Sequence, residues 1–292
     1  MQLTYRGSVN RWECDENDHL NVRFCEQKLY QTLLAGLLAE HCIDAADLPR
    51  LPSLIQRQHI RFQAESRLAA PLGGYFAVVA HDDFQVLVEL RNEVTGVVAC
   101  SMLCDFGASA VVQQLRALPQ QVEPEAIAHA WPRGINADLA LHSFTKTQAK
   151  DLGFRMIGAG VLETAECTTE QQLLPYHCMG RISDSMAHLW SAIFPESEAS
   201  GNEGGAVVEF RRTYAGTLHA DDPFQIFSGI IEVGPRVQSF AHLFFNQRTG
   251  ICCVNAQAIG LRMDLNARKA ITMNADSLVN LQAQLIRLPQ RD

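Results

Sequence analysis

The chain has 292 residues, 47% hydrophobic and 19% charged, a balance that supports a sizeable core and excludes disorder as the main state. Its net charge of −8 excludes attachment to nucleic acid or an anionic membrane by bulk charge. Met1 to Asn10 lack the apolar run of a secretory signal, and no stretch of about 18 uncharged apolar residues occurs, so a cytoplasmic protein without membrane or nucleic-acid partners is expected.

In chain order, a first strand leads into a polar passage from Trp12 to Asn21. A helix is then predicted from about Val22 to His41, where Leu29, Leu33, Leu34, Leu37 and Leu38 cluster at helical spacing with no proline inside. Strands follow at Ile55 to Phe62 and, after Pro71, at Tyr75 to Val79. Period-two apolar residues on either side of Asn92-Glu93-Val94-Thr95-Gly96 then predict an antiparallel hairpin. Leu118 to Gly134 carries Pro119, Pro124 and Pro132 and reads as a linker.

Beyond it the pattern returns. Asn246-Gln247-Arg248-Thr249-Gly250 repeats the N-x-x-T-G turn 154 residues on, and Pro223 follows Pro71 by 152. A helix at about Ser183 to Phe194, strands at Val207 to Tyr214 and Phe224 to Ile231, and a second hairpin fall in the same order. Asp276 to Leu288 suggests a closing helix. Each half thus reads as strand, helix and four strands, an α+β plan with the helix in the concave face of an antiparallel sheet. The expected division is 1–118, a linker at 119–135, and 136–292.

Nine cysteines, an odd number without C-x-x-C spacing, point to small buried side chains rather than disulfides or a zinc site. No G-x-S-x-G, H-E-x-x-H or G-x-x-x-x-G-K-[ST] occurs, which removes the usual serine-hydrolase, zincin and P-loop readings. His177-Cys178 are chain neighbours, a poor arrangement for a base and its nucleophile. His219-Ala220-Asp221-Asp222 precedes Pro223 and reads as a solvated turn.

The passage Trp12-Glu13-Cys14-Asp15-Glu16-Asn17-Asp18-His19-Leu20-Asn21 is different. Capping a helix needs one or two such residues, with Asn21 or Asp18 suited to the task. It does not need a histidine among alternating acids and asparagines. Asp15-x-Asn17-x-His19-x-Asn21 resembles the D-x-N-G-H-x-N signature of hot-dog-fold acyl-CoA thioesterases of the hydroxybenzoyl-CoA thioesterase-like group, and the doubled plan resembles their double hot-dog members. Asp18 stands where that family usually has glycine, a position that favours positive φ.

The resemblance implies two tandem hot-dog repeats and hydrolysis of an acyl-CoA or acyl-carrier thioester. Asp15 would be general base or nucleophile, Asn17 would position water or the carbonyl, and His19 and Asn21 would orient the loop or contact the carbonyl. The start of the helix would polarise the carbonyl. No cofactor is implied, since coenzyme A belongs to the substrate, and a homo-oligomer is expected. Aligning Leu20 with Ile182 sets His177, Met179, Arg181 and Ser183 against the four signature positions, so the second half lacks the signature and one site is expected per pair of repeats. Arg181 and Asp184 are candidates to face substrate, and Arg57 and Arg61, on one face of their strand, are candidates for its phosphates. A hot-dog hydratase or dehydratase is disfavoured, because its D-x-N-P-x-H places histidine five residues after the acid. A non-catalytic acyl-thioester binding module is the alternative from another class.

Overall fold

Alternating apolar residues and tight glycine turns give each half of the chain five antiparallel strands in the same order. The computed structural model describes residues 1–135, 139, 141–194 and 203–288. Two compact units take alternating pieces of chain, Met1–Arg133 with Thr164–Gly180, and Gly134–Glu163 with Arg181–Asp292.

In the first unit, β1 (Gln2–Ser8) precedes α1 (Val22–Ala39), the short α2 (Leu51–Leu54), β2 (Arg57–Phe62), β3 (Pro71–Val79), β4 (Val86–Asn92) and β5 (Val98–Asp105). The sheet runs β1-β3-β4-β5-β2, antiparallel throughout. Asn21 caps α1, its side chain accepting from the Arg23 N–H at 2.9 Å, and the helix packs on β1, β3, β4 and β5. Leu29, Leu33 and Leu37 on its inner stripe are fully buried, each worth about 1.5–3 kcal/mol against exposure. Gly36 allows the close approach: a Cβ there would lie 2.1 Å from the Phe76 ring.

The stretch expected as linker carries structure. After α3 (Ala110–Ala117), β6 (Gln121–Val122) pairs in parallel with β3, and a 3-10 helix at Pro124–Ala130 buries Ile127 and Ala130 against Leu87 and Leu103. Proline blocks α-helix here without preventing a packed 3-10 turn.

In the second half of the chain, α4 (Lys146–Asp151), β7 (Arg155–Val161), α5 (Pro175–Ile193), β8 (Glu203–Tyr214), β9 (Pro223–Val233), β10 (Val237–Asn246) and β11 (Cys252–Asp264) precede β12 (Lys269–Ala270) and α6 (Ala275–Ala283), the residues of α5 up to Gly180 belonging to the first unit. The sheet order β7-β9-β10-β11-β8 repeats that of the first unit, with β12 added on β11. The two N-x-x-T-G turns match bond for bond. Asn92 Oδ1 accepts from the N–H groups of Val94 and Thr95, and Asn246 Oδ1 from those of Arg248 and Thr249. Gly96 and Gly250 take positive φ, 71° and 77°.

α5 begins eight residues before the expected Ser183, at Pro175, whose fixed φ suits the first helical position. α6 is shorter than the Asp276 to Leu288 expected. Among the described residues no helix is long and apolar enough to cross a membrane. Seven of the nine cysteines are buried and all are unbridged.

Candidate active site

β1 hands the chain to a loop tied down on three sides. Val9 pairs with Ala69 and Ala70, a 3-10 turn spans Arg11–Glu13, and the Cys14–Leu20 bridge closes the loop on itself. A His19–Arg67 bridge and the bond from Leu20 N–H to Ser66 O, 2.8 Å, fasten it to the turn after β2. The loop thus delivers Asp15, Asn17 and His19 to the start of α1. Asp18 takes φ 58°, the left-handed conformation for which glycine is usual and which aspartate tolerates.

Asp15 and His19 are coupled. Asp15 Oδ2 lies 3.1 Å from His19 Nδ1, and both side chains are largely buried, 13% and 15% exposed. Asp15 Oδ1 accepts from the Asn17 N–H at 2.9 Å. Burial pulls the Asp15 carboxyl up, but the hydrogen bond and charge of His19, with the Asn17 and His19 amides, outweigh it and hold the carboxyl below its ordinary value. The Asp15 hydrogen bond raises the His19 imidazole above its ordinary value; burial opposes this, and the charges of Asp15 and Glu65 reinforce it. Glu65 was not singled out from the sequence. Its Oε1 stands 3.9 Å from His19 Nε2, so the imidazole lies between two carboxylates. An acid in a turn after a strand carries no periodic signal, and the pairing of His19 with Arg67 and of Leu20 with Ser66 brings it here.

Asn21 spends its side-chain oxygen on the helix cap. Its backbone carbonyl accepts from Phe24 and Cys25, which leaves the Val22 N–H of the first turn without a partner among the described residues. Arg57 pairs with Asp105 at 2.9 Å and lies over the Phe84 ring. Arg61 donates to the carbonyl of Trp131 at 3.1 Å. Arg181 and Asp184 belong to the second unit, on α5, where Arg181 lies over the Phe224 ring and Asp184 is exposed. His219 to Asp222 forms a turn in which Asp222 accepts from Asn246 Nδ2 and Arg248 Nε. Among the described residues no group of His, Cys, Asp and Glu is arranged to hold a metal ion.

The counterpart of the loop in the second half is not the one the Leu20–Ile182 alignment expects. Thr164–Glu166 forms the matching 3-10 turn, Cys167 bridges Leu173 as Cys14 bridges Leu20, and Gln171 repeats the positive φ of Asp18 at 64°. Thr168 N–H bonds to Gln172 O at 2.8 Å as Asp15 N–H bonds to His19 O at 3.0 Å. The positions of Asp15, Asn17, His19 and Asn21 are therefore held by Thr168, Glu170, Gln172 and Leu174. The alignment slipped because helix starts were matched, and α5 starts earlier than its apolar spacing shows. The signature is absent from the true counterpart as well.

This second loop packs within the first unit. Glu170 pairs with Arg50 Nε at 2.9 Å, and His177 Nδ1 lies 3.2 Å from Arg23 Nη2. Tyr176 meets Tyr30 with ring centroids 6.1 Å apart.

No protein-family model matches the chain, and no curated protein matches its sequence. Solved structures do. A candidate oleoyl thioesterase from Lactobacillus plantarum aligns with a TM-score of 0.59 at 10% identity, over 89% of this chain and 95% of that one. A 12:0-ACP thioesterase from Umbellularia californica aligns at 0.57 and 10%, over 89% and 93%. An acyl-ACP thioesterase from Bacteroides thetaiotaomicron aligns at 0.53 and 10%, over 88% and 96%. With the repeated strand order and the duplicated loop, these alignments show that the chain has the double hot-dog fold of the acyl thioesterases.

Proposed function

We propose that the chain hydrolyses an acyl thioester to a free acid and a thiol at the Asp15–His19 pair. The observation that carries this reading is the pair itself: a carboxylate kept ionised by an imidazole, on a loop that ends at the N-terminus of an 18-residue helix. Such an arrangement suits attack on a carbonyl carbon. In the general-base form, Asp15 takes a proton from water as its oxygen bonds to the carbonyl carbon. The electron pair displaced onto the carbonyl oxygen is stabilised by the helix start, where Val22 N–H is available. The tetrahedral intermediate then collapses, the carbon–sulfur bond breaks, and the thiolate takes up a proton from the Asp15–His19 pair. In the nucleophilic form Asp15 attacks directly, the carbon–sulfur bond breaks, the thiolate takes a proton from His19, and water then cleaves the anhydride to release the acid and restore the Asp15 carboxylate, its spare proton returning to His19. Asn17 orients water or the carbonyl, and Asp15, with a smaller contribution from Glu65, favours the protonated form of His19.

Coenzyme A or a carrier protein presents the acyl group and enters as part of the substrate. Arg57, Arg61, Arg181 and Asp184 are the proposed contacts to it, and the chain is proposed to act as a homo-oligomer in the cytoplasm. The test is free-thiol release from short, long, branched and aromatic acyl-CoAs and the matching acyl-carrier thioesters. Asp15→Asn is expected to lower the rate at least ~100-fold with unchanged circular dichroism. Full activity in that variant overturns the assignment.

A further inference from the structure

Glu13 takes no part in the chemistry above, yet its bonds reach both ends of the loop and the helix behind it. Its Oε1 lies 2.7 Å from Lys28 Nζ in the second turn of α1, with the two side chains only 10% and 6% exposed. Its Oε2 accepts from Asn10 N–H at 2.8 Å and Asn10 Nδ2 at 3.2 Å. Its carbonyl accepts from Asn21 N–H at 2.9 Å, and its own N–H bonds to Asn10 O at 3.1 Å. Lys28 Nζ also lies 3.5 Å from Tyr5 Oη on β1. One residue thus joins the entry of the loop, its exit and the helix, two positions before Asp15.

The cost of this arrangement argues for a role. A buried ion pair is seldom more stabilising than apolar residues of the same volume, so stability alone does not account for it. What a buried pair does supply is register, because its partners must meet in one geometry. The second half points the same way. Its loop has lost Asp15, Asn17 and His19 but keeps the buried acid as Glu166, whose carbonyl accepts from Leu174 N–H at 3.0 Å. At the position of Lys28 it has Arg181, so a cation is retained too.

We propose that Glu13 and Lys28 are positioning residues that set the depth of Asp15 and His19 against the start of α1, so that losing the pair lowers turnover while substrate binding stays. The proposal rests on the thioesterase reading for its kinetics, and a second readout frees it from that dependence. In the full chain, Lys28→Met is expected to lower kcat at least ~10-fold with KM within about twofold, as a displacement of about 1 Å would. Lys28→Arg, the second half's own choice, is expected to stay within about threefold of the parent. The neutral double variant Glu13→Gln/Lys28→Met guards against simple unfolding. It is expected to recover thermal stability but not kcat.

The activity-independent readout is titration of the His19 imidazole by NMR, with Asp15 and Glu65 as the charged groups facing it. It is expected to move toward an ordinary histidine in Lys28→Met and the double variant, and to stay put in Lys28→Arg. Parental kcat and unchanged titration in the double variant overturn the proposal. Absence of thiol release from the parent over all substrates overturns the thioesterase reading instead, while a moved His19 titration still supports the positioning role.

Discussion

Replacing His19 with glutamine removes the cation that holds Asp15 ionised and leaves a side chain that can still donate one hydrogen bond. A hydrogen bond to a charged group contributes about 1.5–3 kcal/mol, and glutamine restores part of it. The net loss is therefore about 1–2 kcal/mol, a Tm decrease of about 2–3 °C for a chain of this length. The sign depends on pH. Asp15 is depressed below 3.8, so its share of the stability is present above 3.8 and is lost as pH falls through its folded value. His19 is raised above 6.5, so its share is full below 6.5 and is lost as pH rises through its folded value. The gap in Tm between parent and His19→Gln should therefore be widest between pH 3.8 and 6.5 and should narrow above that. Calorimetry across pH 4 to 9 measures it. With the imidazole's charge gone, burial acts on Asp15 against the amides and the glutamine hydrogen bond only, and the acid limb of kcat should move to higher pH. A Tm gap that widens above pH 7, or an acid limb that stays in place, refutes this account of the pair.

Gly36→Ala should destabilise the chain by about 1–3 kcal/mol, read by denaturant unfolding, because the new methyl meets the Phe76 ring at 2.1 Å. Asp18→Gly should leave stability within about 1 kcal/mol. It relieves a positive φ and gives up only the exposed Arg11–Asp18 pair at 2.8 Å. Grafting the signature with Thr168→Asp/Glu170→Asn/Gln172→His should leave the fold intact, since that backbone already matches. NMR should show the introduced imidazole titrating above an ordinary histidine, and an ordinary titration would count against the loop correspondence.

The fold was legible because strand alternation, the N-x-x-T-G turns and the paired prolines are local and repeat at nearly one offset. The pairing of Asp15 with His19 was legible because the two lie within five consecutive positions and need no long-range contact to meet. What escaped depends on pairing across the chain. Glu65 reaches His19 through a bridge between segments about 50 residues apart, and the start of α5 is masked by Tyr176, His177 and Gly180, which break its apolar spacing. The 119–135 stretch looked like connector because its prolines dominate, while Ile127 and Ala130 fill the core through a 3-10 turn.

The alternation of chain between the two units bears on biosynthesis. The first unit takes in Thr164–Gly180, after the second has already claimed Gly134–Glu163. A ribosome therefore has to release about 180 residues, and the exit tunnel has to clear them, before the unit carrying Asp15 has all of its parts. Until then Tyr30, Arg23 and Arg50 wait without Tyr176, His177 and Glu170. Cutting the gene at the proline-bearing stretch would leave the first fragment without Thr164–Gly180, which the second fragment carries. Co-expressed halves, rather than either half alone, are the way to recover a folded first unit.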